Sequence, residues 1–314
     1  MRQNSEIEKV KSNYLKGSED KKLKKILKNK WLIIAIIIIA IVCLASTYIG
    51  SMYNQTKYSY VINNYQEKVS SLSKDDIEDK EQKAKKYNNS LNDLSSTGKY
   101  DKDTVTGYYD VLNLGEIISY IDIPKINVYL PIYNNTDDKT LQNGIGHEKS
   151  SSLPVGGTNT NCVLLGHSGL TTNPLFTCLH ELDTGDYIYL KTMNKTYTYK
   201  VYDIDKVTPE EAENYTGIVK DKDIVTLITC TPIGINTHRL IVRGERVDYT
   251  QCNKAQIKKV KQAEDNNSNS IDNVRRKLIT IGLIVMIVAI LFTFSYCMRK
   301  GEKKKKGDKK SKRK

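Results

Sequence analysis

Two long apolar runs bracket the chain, and they constrain it more than any other feature. Trp31–Ile49 reads WLIIAIIIIAIVCLASTYI and Leu278–Met298 reads LITIGLIVMIVAILFTFSYCM, 19 and 21 residues without a charge. At 1.5 Å per residue, about 20 residues cross a hydrocarbon layer roughly 30 Å thick. Neither run carries a polar stripe and both adjoin dense Lys/Arg, so they read as transmembrane helices rather than buried core helices. The first is long for a signal-peptide core and no small-x-small cleavage site follows it, so it reads as an uncleaved anchor.

Charge then orients the chain. The net charge of +13 suggests nucleic acid until it is located. Residues 1–30 hold ten basic and four acidic side chains, and residues 299–314 hold eleven and two. Residues 50–277 hold 28 basic and 30 acidic. The middle is therefore slightly acidic, which excludes a nucleic-acid-binding core. Positive flanks face the cytoplasm. Both termini are expected inside the cell membrane and residues 50–277 outside, although Arg275, Arg276 and Lys277 on the outer side of the second run oppose that orientation.

Between the runs the pattern changes twice. Residues 51–90 are polar, rich in Lys, Glu, Asn and Ser, and predict one or two helices. Residues 92–106 lose that periodicity and read as a loop. From about residue 116, short β-type segments recur between turn signals: 117–123, 128–133, 162–167, 186–192, 197–207, 224–230 and 239–247. Seven strands without alternating long helices predict a closed or nearly closed β-barrel. Asn173-Pro174 is expected to open one short helix, and Thr208-Pro209-Glu210-Glu211 another, with a capping box.

The chemistry concentrates near residue 230. In IVTLITCTPIGINTHRLIVRGERV (224–247) an apolar strand ends at Cys230, a turn-rich loop follows, and a second strand starts near Arg239. That places a thiol and a guanidinium at neighbouring strand ends. A thiolate is a strong nucleophile, and a fixed cation can stabilise charge developing on a substrate carbonyl. The alternative is a buried structural cysteine beside a surface arginine. A histidine should complete the set. His238 adjoins Arg239 on a strand and so points to the other face; His180 follows a short helix. His167, at a strand end, and His147, in a Gly-rich loop, are equal candidates by spacing. The remaining outer cysteines, Cys162, Cys178 and Cys252, match no zinc pattern and permit at most one disulfide once Cys230 is kept free. No nucleotide loop, metal cluster or cofactor motif is visible, so neither a metal nor a cofactor is expected.

TLITCTPIGINTHRLIVRGERV (226–247) resembles the cysteine-strand signature of sortases, and its longer form TCTPIGINTHRLIVRG is similar to the pilus-building branch, class C. YIDIPKINVYLPIY (120–133), GIGHEKSSSLPVGG (144–157) and VLLGHSGL (163–170) agree with that branch. The resemblance implies an eight-stranded barrel in which Cys230 is the nucleophile, His167 its partner and Arg239 the cation. It implies cleavage of an LPxTG-like sorting signal between Thr and Gly, a thioester, and transfer to an amine, in class C a pilin lysine. Class C members commonly cover the cysteine with a lid anchored by Asp-Pro-aromatic; this chain has Asp93 and Leu94 in the corresponding stretch and no such tripeptide.

The expected organisation is a basic cytoplasmic tail (1–30), a transmembrane helix (31–49), a helical stalk (50–90), a lid and linker (91–115), a mainly β sortase barrel (116–247), a linker (248–277), a second transmembrane helix (278–298) and a basic tail (299–314). The implied partners are pilin-like or surface proteins with C-terminal sorting signals, the membrane and a peptidoglycan precursor, with no nucleic acid. Rival functions are a sortase anchoring proteins to peptidoglycan, a thiol hydrolase, and a non-catalytic membrane-tethered binding module.

Overall fold

The computed structural model describes residues 30–97, 108–112, 114–170, 173–248 and 280. Two long helices come first, α1 (Lys30–Ser71) and α2 (Lys74–Thr97), followed by the single turn α3 (Tyr108–Val111). The backbone is helical through the first apolar run. Most side chains of that run lie outside the described set, and among the described residues no helix is long and apolar enough to cross a membrane. The second run, apart from Thr280, the charged linker beyond Asp248 and both tails also lie outside the described residues.

Eight strands follow: β1 (Ser119–Ile123), β2 (Val128–Tyr133), β3 (Ile145–His147), β4 (Thr160–Leu165), β5 (Tyr187–Thr192), β6 (Lys195–Val207), β7 (Asp223–Thr231) and β8 (His238–Val247). The short helix α4 (Asp138–Asn143) lies between β2 and β3. The strands close into a barrel in the order β1-β2-β3-β4-β7-β8-β6-β5. The β2–β3 and β4–β7 pairs are parallel and the others antiparallel.

Alternation explains the interior. Along β7, Val225 and Leu227 point inward and meet Cys162 and Leu164 of β4, Val242 of β8, and Ile188 and Leu190 of β5 in one buried cluster. The opposite face of the same strands is apolar too: Val163, Ile228 and Ile241 are buried beneath Ala212, with Val207 and Tyr215 packed alongside. Coverage on both faces is why β4 and β7 read as continuous apolar runs instead of alternating ones.

The seven predicted strands all appear. The eighth, β3, is only three residues long and lies in the segment read as a Gly-rich loop, so His147 ends a strand and is fully buried. Where a loop was expected from residue 92, α2 continues to Thr97. Asn173-Pro174 opens no helix; a 3-10 turn begins at Thr177, and the Asn173 amide instead donates to the Gln142 carbonyl, 2.8 Å. The capping box forms, with Glu211 N donating to Thr208 Oγ1 and Thr208 N to Glu211 Oε2, but it opens a 3-10 turn, Glu211–Tyr215.

The helical segment is docked on the barrel. Ile62, Tyr65 and Val69 of α1 are buried against Ile117 and Tyr120. Tyr65 Oη donates to the Ile118 carbonyl at 3.1 Å and accepts from Met193 N at 2.8 Å. From α2, Asn88 forms a two-way bridge with Leu153: its Nδ2 donates to the carbonyl and its Oδ1 accepts from the amide, 3.2 and 2.8 Å.

Candidate active site

Register builds the site. In the β7–β8 ladder Cys230 stands directly opposite Arg239 and Thr231 opposite His238. Directly opposed residues share a face, so thiol and guanidinium lie on one side of the sheet and His238 on the other, as alternation predicted. On the other flank of β7, the parallel ladder pairs Leu165 with Ile228, and Gly166 N continues it by donating to the Ile228 carbonyl, 3.1 Å. Two residues further along each strand bring His167 level with Cys230. Three adjacent strands thus present His167, Cys230 and Arg239 in a row, each half-buried.

Hydrogen bonds fix the row. Thr229 Oγ1 donates to the Gly166 carbonyl at 2.6 Å, and Ser168 Oγ to the Cys230 carbonyl at 2.6 Å. The His167 carbonyl accepts from Phe176 N at 3.1 Å. Gly166 is obligatory: a Cβ there would lie 2.6 Å from the Phe176 ring and 2.8 Å from Ile145. Arg239 Nη1 donates to the carbonyls of Asn236 and His238, 3.2 and 3.1 Å, which leaves its Nε and Nη2 hydrogens for a substrate. Ser168 and Thr229 escaped the sequence reading; their proximity to the motif residues was the available signal.

The structure separates the two histidines that spacing left equal. His147 is enclosed: Tyr108 Oη lies 2.7 Å from Nδ1, and the Ser152 carbonyl 2.8 Å from Nε2. A carbonyl only accepts, so Nε2 carries the proton and Nδ1 accepts from the tyrosine. Burial pushes this imidazole down to about 4. Its bonds are internal and it does not face Cys230's strand end. His180 is exposed on the 3-10 turn, where its Nδ1 meets the Thr177 carbonyl. Asp93 and Leu94 fall in the last turns of α2; their side chains, and residues 98–107, lie outside the described set. Cys162 and Cys178 are free thiols, the first in the core. Among the described residues no three His, Cys, Asp or Glu side chains converge to hold a metal.

A cavity of about 450 Å³ opens beside the row. Its floor is Val163, Leu165 and Ile228, and its wall is the segment between β6 and β7. Ile228 and Leu165 precede Cys230 and His167 by two residues on the same faces, so the cavity lies on the thiol's side of the sheet.

Residues 121–247 match the family model for the Sortase domain. Sortase A of Bacillus anthracis is 33% identical over 138 residues, 43% of this chain and 62% of that protein, so the match spans less than two thirds of that relative. Sortase A of Streptococcus agalactiae serotype III is 32% identical over 190 residues, covering 58% of this chain and 71% of that one. The chain belongs to the sortase family. Sortases are cysteine transpeptidases, which makes an enzyme of this chain and removes the binding-module rival. Among solved structures, sortase C of Streptococcus pneumoniae is 37% identical, with a TM-score of 0.54 over 60% of this sortase and 97% of that one. That structure is described in terms of catalysis and pilin substrate specificity.

Proposed function

We propose that this sortase cleaves an LPxTG-like sorting signal and joins the acyl product to a lysine amine of a pilin-like subunit. The observation that carries the reading is the Cys230–Arg239 register pair with His167 level on the next strand. The Cys230 thiol gives its proton to His167 and Sγ attacks the Thr carbonyl carbon, Arg239 hydrogen-bonds the oxygen while it is anionic, and His167 passes that proton to the departing Gly nitrogen as the Thr–Gly bond breaks. The lysine nitrogen then attacks the thioester, the C–S bond breaks, and the amine proton returns to His167. Free lysine has a pKa near 10.4, so a docked acceptor is needed for a useful fraction of neutral amine. The likeness to the pneumococcal enzyme supports the choice of a pilin acceptor.

We place the catalytic domain outside the cell membrane, anchored by the runs at 31–49 and 278–298 with both tails cytoplasmic; the apolar lengths and flanking cations support this. Asp93 and Leu94 are proposed to anchor a cover over Cys230, and replacing both by Ala should speed thiol alkylation.

The deciding experiment supplies the enzyme with a pilin-like subunit bearing a sorting signal. Ladders resistant to heat and detergent are expected, and mutating one pilin lysine should erase them while the acyl-enzyme still forms. Monomer joined only to a peptidoglycan-type amine, with the cognate pilin present, would replace polymerisation by cell-wall anchoring. Release of the acid alone would make the protein a thiol hydrolase.

A further inference from the structure

His167 stands two residues beyond the end of β4, and the backbone that carries it is held by the arm returning from the loop, residues 173–177. Phe176 N donates to the His167 carbonyl at 3.1 Å, and Gly169 N donates to Thr177 Oγ1 at 2.9 Å. The Phe176 ring is fully buried and packs against Gly166. The arm turns back at Leu175, a buried residue with a φ of 36°. The left-handed region costs a side chain of this kind roughly 1–2 kcal/mol, so the surroundings must impose the turn.

A junction around Asn173 imposes it. Asn173 Nδ2 donates at 2.8 Å to the Gln142 carbonyl, one of the last-turn carbonyls of α4 that find no partner within the helix. The next residue, Asn143, accepts through Oδ1 from Lys57 Nζ of α1 at 2.6 Å. Beside Lys57, Tyr58 turns its hydroxyl toward the Asn173 amide. Tyr58 and Asn173 are 5% and 4% exposed, and neither Tyr58 Oη nor Asn173 Oδ1 has another hydrogen-bond partner among the described residues. The amide thus sits between two helices, its NH2 on α4 and its oxygen toward α1.

We propose that Asn173 is a positioning residue for His167: it pins the returning arm to α4 and to the docked part of α1, and the arm fixes the imidazole level with Cys230. This role rests on the transpeptidase reading and extends it to two helices outside the row of three. Proton transfer between thiol and imidazole is sensitive to placement, and a shift of about 1 Å can cost about a hundredfold in rate. An amide suits the position because it offers donors and an acceptor in one plane. A carboxylate there would face the Gln142 carbonyl without a proton to give it.

Full-length enzyme in detergent and an LPxTG-type peptide provide the check, with single-turnover thioester formation read by intact mass and denaturation midpoints measured in parallel. Asn173→Ala should lower the maximal rate roughly ten- to a hundredfold and leave the half-saturating peptide concentration within about twofold. Asn173→Asp should lose as much, since it keeps the oxygen and not the donor. Tyr58→Phe should lower the rate roughly two- to tenfold with no fall in the midpoint, because the hydroxyl it removes is incompletely bonded. On a His167→Gln background Asn173→Ala should cost nothing further, because its effect passes through the imidazole. An undiminished maximal rate in folded Asn173→Ala, a loss confined to half-saturation, or an equal loss on His167→Gln overturns the positioning role and leaves the transpeptidase reading intact. If Asn173→Ala does not fold, Tyr58→Phe decides: a slower rate at an intact midpoint upholds the role, and an unchanged rate overturns it. A wild-type enzyme that forms no thioester overturns both readings.

Discussion

Cys230, His167 and Arg239 stand on three strands, and each should fail alone. Cys230→Ala should lower signal cleavage by several orders of magnitude with the fold retained, and His167→Gln should do the same, because groups that act as a unit are not additive. His147→Gln should keep measurable activity; steady-state assays of the three variants rank them, and activity lost at His147 but kept at His167 would exchange their roles. His147 matters for stability instead. Its folded form holds a neutral ring with a pKa near 4, against an ordinary 6.5, so the stability it contributes is complete above pH 6.5 and is lost as pH falls from 6.5 through 4, by about 3 kcal/mol in full. Asp122 runs the other way. It is buried with one oxygen unpartnered, and burial raises its pKa to about 6 despite Lys191 nearby. The folded state therefore favours the protonated acid, and stability is lost as pH rises from 3.8 through 6, again by roughly 3 kcal/mol. Burial depresses Lys191 as well, so desolvation outweighs attraction for both partners. The two slopes oppose each other over one window. Denaturant titrations from pH 4 to 6.5 should show that wild type minus His147→Gln rises with pH, whereas wild type minus Asp122→Asn falls.

At the scale of elements, one amide adds to the buried Ala84, Tyr87 and Leu91 and the Glu81–Lys195 ion pair in docking α2. Asn88 is 1% exposed and completes both backbone groups of Leu153. Asn88→Ala would leave the buried Leu153 N–H unpaired, at about 1–3 kcal/mol, while the Leu153 carbonyl keeps the Val155 N–H at 2.8 Å, and should lower the denaturation midpoint and raise amide exchange in residues 148–153. An unchanged midpoint would mean that the other α2 contacts, Ala84, Tyr87, Leu91 and the Glu81–Lys195 pair, suffice without it. The same elements show what was legible from sequence. Strand–turn–strand around Cys230 was readable because apolar runs and turn residues are local signals, and the register that faces Arg239 toward the thiol follows from alternation. β3 was not readable, since three residues carry no period. The extra helical turns at 92–97 were missed because Asn, Asp and Ser favour caps and turns. The cavity between the segment after β3 and the segment before β7 could not be read from sequence at all, because the parallel β4–β7 ladder that joins them is a property of the closed barrel.

For the whole molecule, the two-span proposal has a direct check. Protease added to intact protoplasts should digest residues 50–277 and spare both lysine-rich tails; digestion of the C-terminal tail would remove the second span. The strand order carries a consequence of a different kind. His167 is on the fourth segment of the barrel to be synthesised, Cys230 on the seventh and Arg239 on the eighth, yet these last two pair beside the fourth. A growing chain therefore has no assembled nucleophile until residues near 247 have emerged and the seventh segment has inserted between its fourth and eighth neighbours. The row therefore assembles late: a chain that ends between Cys230 and Arg239 has the thiol without its opposed guanidinium, and one that ends before Cys230 has neither.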